Sequence, residues 1–160
     1  MLLMGRGTPC LYYGTELGFD TRCEPDGKVR QDFPGGWEGD DRNAFSKEER
    51  TPQEAEWFNH VHGLLSLRTS FPRAFQGGLV HFFPKRGVYG FSREQEDVRI
   101  VTLVNAASET RPLPWANLEP WVQGAVAMER LQPDGTLSAG VLTPEDTLGA
   151  WSHQVWVIHR

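Results

Sequence analysis

The chain changes grammar once, at Gly77-Gly78, and that change limits its fold more than any other feature. Downstream, short β-type runs at 79–83, 88–92, 99–105, 125–131, 136–138 and 154–159 alternate with turn signals such as Pro84-Lys85-Arg86-Gly87 and Pro133-Asp134-Gly135. Glycine reaches backbone angles closed to other residues and proline fixes one angle in advance, so these are the places where an antiparallel chain reverses. Runs of this length and spacing predict an antiparallel β-sandwich over 77–160.

Upstream the pattern is different. Thr51 with Glu54 three residues later makes a capping box, and Pro52 stands at the first helical position. Phe58, Val61, Leu64, Leu65 and Arg68 then recur at helical spacing until Pro72, which predicts one amphipathic helix over 52–68. Residues 8–18 form an apolar and aromatic run closed by glycines, the pattern of a buried strand covered on both faces. Between strand and helix, 19–50 is rich in Asp, Gly, Pro, Arg and Glu without sustained period, hence a long irregular loop of the kind that carries function. Phe33, Trp37 and Phe45 imply that this loop is ordered. One parallel strand and one helix cannot bury both faces of either element. Residues 1–76 are therefore expected to be the last strand–loop–helix unit of a larger α/β body, followed by a separate β domain at 77–160, an α+β fragment overall.

Composition removes several function classes. With 160 residues the chain is shorter than a complete eight-stranded α/β barrel, which takes about 250. A net charge of -5 and no cluster of Lys or Arg leave no footprint for nucleic acid. No apolar run approaches the roughly 18 residues that span a bilayer. Met1-Leu2-Leu3-Met4 is too short for a signal-peptide core and Arg6 lies on its wrong side, so the sequence assigns no compartment. Cys10 and Cys23 lack zinc or redox spacing, and either a disulfide or two idle thiols fits them. His60 and His62 sit two apart on the expected helix and point in different directions, while His81, His153 and His159 fall in strand-like runs. No metal and no cofactor is expected.

Arg6-Gly7-Thr8-Pro9-Cys10-Leu11-Tyr12-Tyr13-Gly14-Thr15-Glu16 resembles the eighth barrel strand of the α-amylase superfamily, glycoside hydrolase family 13. The pattern there is Gly-x-Pro, two variable residues, then Tyr-x-Gly-x-Glu, and every fixed position is filled. Arg30-Gln31-Asp32-Phe33-Pro34-Gly35-Gly36-Trp37 looks like a loop of the cyclomaltodextrinase and neopullulanase branch, and the helix ending at Leu67-Arg68 looks like the eighth barrel helix. The β-rich remainder is similar to the family's C-terminal domain in pattern and placement.

The resemblance implies a TIM barrel fragment from an enzyme that hydrolyses α-1,4-glucosidic bonds with retention. It also implies an absence, because the family's three catalytic carboxylates come from the fourth, fifth and seventh strands, all upstream of the eighth. No catalytic residue is expected here, and the chain alone should be inactive. Asn59-His60-Val61 resembles the start of a family motif but lies inside the expected helix. An acid pair drawn from Glu16, Asp20, Asp26, Asp32, Asp40 and Asp41 would need rigid, desolvating walls that a long loop lacks.

Sugar binding suits the loop better, since α/β barrels build their sites at the C-terminal ends of the strands. Many family members contact a sugar through an Asp and an Arg four residues apart in this loop, and Asp26 and Arg30 have that spacing. Trp37 offers an apolar face for a pyranose ring. Plainer roles stay open: Asp26 as a turn residue, Arg30 paired with a loop carboxylate, Trp37 packed under the loop. The expected partner is an α-glucan or cyclodextrin, once a barrel is complete. The alternatives are a stand-alone carbohydrate-binding module using Trp115, Trp121 and Trp151, or an inert truncated remnant.

Overall fold

The computed structural model describes residues 1–20, 24 and 26–160, with the backbone alone at Asp26 and Val29. Its longest helix, α1 (Pro52–Ser70), begins where the capping box places it. The Thr51 hydroxyl accepts from the Glu54 amide at 3.2 Å, and the Glu54 carboxylate accepts from the Thr51 amide at 2.9 Å. Pro72 then opens a short second helix, α2 (Pro72–Gln76), rather than ending helical structure outright.

After Gly77 the chain runs through β1 (Leu79–Lys85), β2 (Val88–Gln95), β3 (Val98–Asn105), β4 (Arg111–Pro112), α3 (Trp115–Val122), β5 (Ala127–Leu131), β6 (Leu137–Ala139), β7 (Thr147–Leu148) and β8 (His153–His159). Six of these strands form one antiparallel sheet in the order β1-β2-β3-β8-β5-β6. Strands β4 and β7 pair separately as a two-stranded ribbon.

The central strands β3 and β8 are buried on both faces, so successive residues serve opposite cores. Ile100, Val155 and Val157 face a core filled by Val61, Leu64 and Leu67 of α1 and Phe75 of α2, joined by Leu3 and Met4. Val101, Leu103, Trp156 and Ile158 face a second core closed by Leu118 and Trp121 of α3 and by Leu113 and Leu148 from the ribbon's surroundings. Each such side chain contributes about 1.5–3 kcal/mol on full burial.

Two expectations are corrected. The β-sandwich expected over 77–160 is unequal: helices cover one face of the six-stranded sheet, and the small β4–β7 sheet covers the other together with α3. The sequence hid α3 because Pro120 lies inside it and its eight residues are too few to show a helical period. Residues 8–18 also form no strand. Thr15–Leu17 is instead a single 3-10 turn, entered from Gly14 at φ 83 and left through Gly18 at φ 70. A parallel strand is stable only between neighbours that satisfy its backbone. Here the apolar run buries Leu17 and packs Leu11 against the first core.

Arginines fasten this segment down. The Arg68 guanidinium donates to the carbonyls of Leu3, Gly5 and Gly7 at 2.6, 3.3 and 2.9 Å. Arg93, fully buried, donates to the carbonyls of Ala74, Phe75 and Gly77 at the end of α2.

Candidate functional site

From Phe33 to Arg50 the acidic loop is held largely by side-chain bonds. The Asp40 carboxylate accepts from the amides of Gly35 at 2.7 Å and Trp37 at 3.1 Å, closing a tight turn in which Gly35 takes φ 93. Behind that turn, the Ala44 amide donates to the Pro34 carbonyl at 2.9 Å, and the Asn43 amide donates to the Glu49 carboxylate at 2.6 Å. Phe33 stacks on Phe45 with centroids 4.4 Å apart and meets Phe19 at 6.1 Å.

The loop is then tied to α1. Arg42 binds both carboxylate oxygens of Glu54 at 2.6 and 2.7 Å, so one acid closes the capping box and anchors the loop. That pairing, before the capping contacts, holds the Glu54 carboxyl below its ordinary range. Arg50 donates to the carbonyls of Ala44 and Phe45 and lies 3.5 Å over the Phe58 ring.

On this frame Trp37 is displayed rather than packed beneath, with 68% of its surface exposed. Arg30 is exposed directly after the 3-10 turn Asp26–Val29; the Asp26 side chain lies outside the described residues. Tyr12 and Tyr13, both exposed, stack at 4.6 Å. The Tyr13 hydroxyl is held above its ordinary range, first by its hydrogen bond with Tyr12 and then by burial, with the charge of Asp32 raising it further and that of Arg30 opposing. An exposed indole, a guanidinium and phenols suit a polyhydroxylated ligand: flat apolar rings meet apolar sugar faces, and charged groups make the stronger bonds to hydroxyls.

Asp20, Asp32, Asp40 and Asp41 are exposed, and Asp40 is occupied in the turn. Among the described residues no group of His, Cys, Asp and Glu is arranged to hold a metal. Cys10 is an exposed free thiol; Cys23 lies outside the described residues. Of the β-domain tryptophans, Trp121 is buried and Trp115 packs against the same core, so they anchor structure, whereas Trp151 is exposed.

Sequence reasoning missed two features. Arg42, Asp40 and Asn43 organise the loop, and the Arg42–Glu54 separation of twelve residues carries no motif. His60 meets His153, with their Nε2 atoms 2.8 Å apart, across 93 positions of sequence. His62, as its spacing implied, turns elsewhere and stacks on Phe58.

Comparison with known proteins gives this geometry a context. Residues 79–129 match the family model described as the cyclo-malto-dextrinase C-terminal domain. The whole chain resembles the crystal structure of an Anoxybacillus α-amylase at 20% identity and TM-score 0.63, covering 99% of this chain and 30% of that one. Eubacterium rectale Amy13B gives 20% identity and TM-score 0.64 over 99% of this chain and 32% of its own. The α-amylase of Geobacillus thermoleovorans, in a complex with acarbose, gives 21% identity and TM-score 0.60 over 99% and 31%. The chain thus spans about a third of the length of these structures and carries a mostly antiparallel β domain with the fold of an α-amylase C-terminal domain.

Proposed function

We propose that this chain is the C-terminal part of a retaining α-glucan hydrolase of glycoside hydrolase family 13, on the cyclomaltodextrinase and neopullulanase side. The observation that carries the reading is the match of 79–129 to a cyclomaltodextrinase C-terminal domain, standing directly behind the capped helix α1. The filled Gly-x-Pro and Tyr-x-Gly-x-Glu pattern at 7–16 supports it from the other end of the chain. In this reading residues 1–76 close an α/β barrel whose other units lie on preceding sequence, and 77–160 form the domain behind it.

The chain's share of the chemistry is to bind and orient. Retaining hydrolysis needs a nucleophilic carboxylate and a carboxylic acid about 5 Å apart, and the barrel's other strands supply them. Asp26, Arg30 and Trp37 hold a sugar of an α-glucan or cyclodextrin at the mouth of the cleft. Fixing the sugar there lowers the entropic cost of reaching the transition state.

The test is reducing-sugar release from β-cyclodextrin, pullulan and soluble starch. The purified chain releases none. Co-expressed with the first seven strand–helix units of a cyclomaltodextrinase, it restores hydrolysis that falls in Arg30→Ala and Trp37→Ala. Turnover by the chain alone, abolished by one substitution within 19–50, refutes the reading; restored hydrolysis indifferent to both substitutions refutes the role of the loop.

A further inference from the structure

A cleft of about 470 Å³ lies between the first half of α1 and the start of β8. Gln53, Glu56, Trp57 and His60 line it from the helix, Arg130 from β5, Trp151 from the turn before β8 and His153 from β8 itself. It is built from elements other than the loop that displays Trp37. Both of its indoles reach solvent, Trp57 at 46% and Trp151 at 72% exposure.

Trp151 carries the argument furthest. Its φ is 49, in the left-handed region that a bulky residue enters only at a cost of about 1–3 kcal/mol. The turn maintains it there: the Trp151 amide donates to the Ala107 carbonyl at 3.0 Å, and the Ser152 hydroxyl donates to the Gly149 carbonyl at 2.7 Å. Glycine or asparagine would make this turn more easily. A strained indole that is mostly exposed is not there for packing; its face is presented.

The polar lining fits a neutral, hydroxyl-rich ligand, because its two charged side chains, Glu56 and Arg130, are of opposite sign. In the His60–His153 contact one Nε2 must donate and the other accept, since two protonated rings would repel. The pair then keeps one Nδ1 acceptor and one Nδ1 donor, matching hydroxyls, which both donate and accept. Glu56 and Gln53 add a carboxylate and an amide.

We infer that this cleft is a second sugar-binding site, taking a pyranose oligosaccharide between Trp57 and Trp151 over the His60–His153 pair. That the sugar is an α-glucan rests on the function proposed above; that the cleft takes a sugar does not.

The experiment is calorimetric titration of the full chain with maltoheptaose and, separately, cellohexaose, on the parent and on Trp151→Ala, Trp57→Ala and Arg30→Ala. Maltoheptaose binds the parent, and each tryptophan substitution weakens it about tenfold or more while Arg30→Ala leaves it within about twofold. Trp151 is exposed, so its variant keeps the parent's melting temperature and far-ultraviolet spectrum, which separates lost binding from lost fold. Binding of cellohexaose alone, with the same tryptophan dependence, keeps the site and removes the α-glucan reading. Binding that follows Arg30 and ignores both tryptophans, or no binding of either sugar, overturns the inference.

Discussion

Gly63→Ala sets two effects of opposite sign against each other in the middle of α1. In an exposed helix interior the change stabilises by about 1 kcal/mol, because glycine has more backbone freedom to lose. Gly63 is buried, and a methyl there would stand 2.5 Å from the Cα of Gly135 and 2.8 Å from its carbonyl oxygen. Carbon atoms in contact prefer about 3.5–4.0 Å, so the overlap exceeds what vibration absorbs. Both obstacles are backbone, without a rotamer to yield. Nor can the turn readily move: Gly135 is already at φ 84, and Asp134 pins it by accepting from the Thr136 amide and hydroxyl at 2.9 and 2.7 Å. The helix must therefore lift from the β5–β6 turn, loosening Val61, Leu64 and Leu67. Overpacking costs about 1–3 kcal/mol. Less the helical gain, the net expectation is a loss of up to about 2 kcal/mol, or up to roughly 8 °C in melting temperature for a chain of this size. Urea and thermal denaturation followed by circular dichroism measure it. A variant that melts higher than the parent would refute the packing argument, because propensity alone would then be deciding.

Glu54→Ala removes a cap and an ion pair at once and is expected to cost about 1–2 kcal/mol by the same assay, with Glu54→Gln retaining part of the cap. Because the Glu54 carboxyl is held below its ordinary range, its contribution is complete above that range and is lost as pH falls through the lowered value; Glu54→Gln should flatten this acid limb of a stability–pH curve. His153 is lowered from about 6.5 to about 4, first by burial and then by His60, so its neutral form is the one the fold favours. Stability from this source is complete above about pH 6.5 and declines toward pH 4, by about 1 kcal/mol once the solvent access of His153 is allowed for; His153→Gln should remove that slope. Asn105→Ala should cost about 2–3 kcal/mol in urea, because the buried amide donates to the carbonyls of Glu109, Leu148 and Gly149 and accepts from the Ala107 amide. An unchanged midpoint would mean that water replaces it there.

Local chemistry made much of this architecture readable. The capping box located the start of α1 to the residue, and the turn signals located six strands, since both depend on contacts within a few residues. What depended on distant partners was misread. Residues 8–18 have a strand's composition, but a strand is a relation between segments, and without neighbours Gly14 and Gly18 direct the chain into a 3-10 turn. The share of helix in covering the sheet was hidden for a similar reason: alternation shows that a strand has a covered face, not whether a sheet or a helix covers it. Of the three loop aromatics, Phe33 and Phe45 pack on each other, whereas Trp37 stands exposed. The Arg42–Glu54 tie and the His60–His153 contact left no trace in sequence, because neither pair has a fixed spacing that chemistry requires.

The two parts of the chain are joined more firmly than a change of grammar at Gly77 suggests. Phe75 lies beneath two guanidiniums, Arg68 at 4.6 Å and Arg93 at 5.7 Å from its centroid, and each guanidinium binds backbone carbonyls of a different segment. Carbonyls of residues 3–7 and of the end of α2 are thus satisfied by side chains anchored on α1 and β2. Leu3, Met4, Leu64 and Phe75 share one core with strand residues Phe91, Ile100 and Val157. Glu54, at the start of the same helix, fixes the loop through Arg42. A continuous path of packed and hydrogen-bonded groups therefore runs from the β domain through α1 to the turn displaying Trp37.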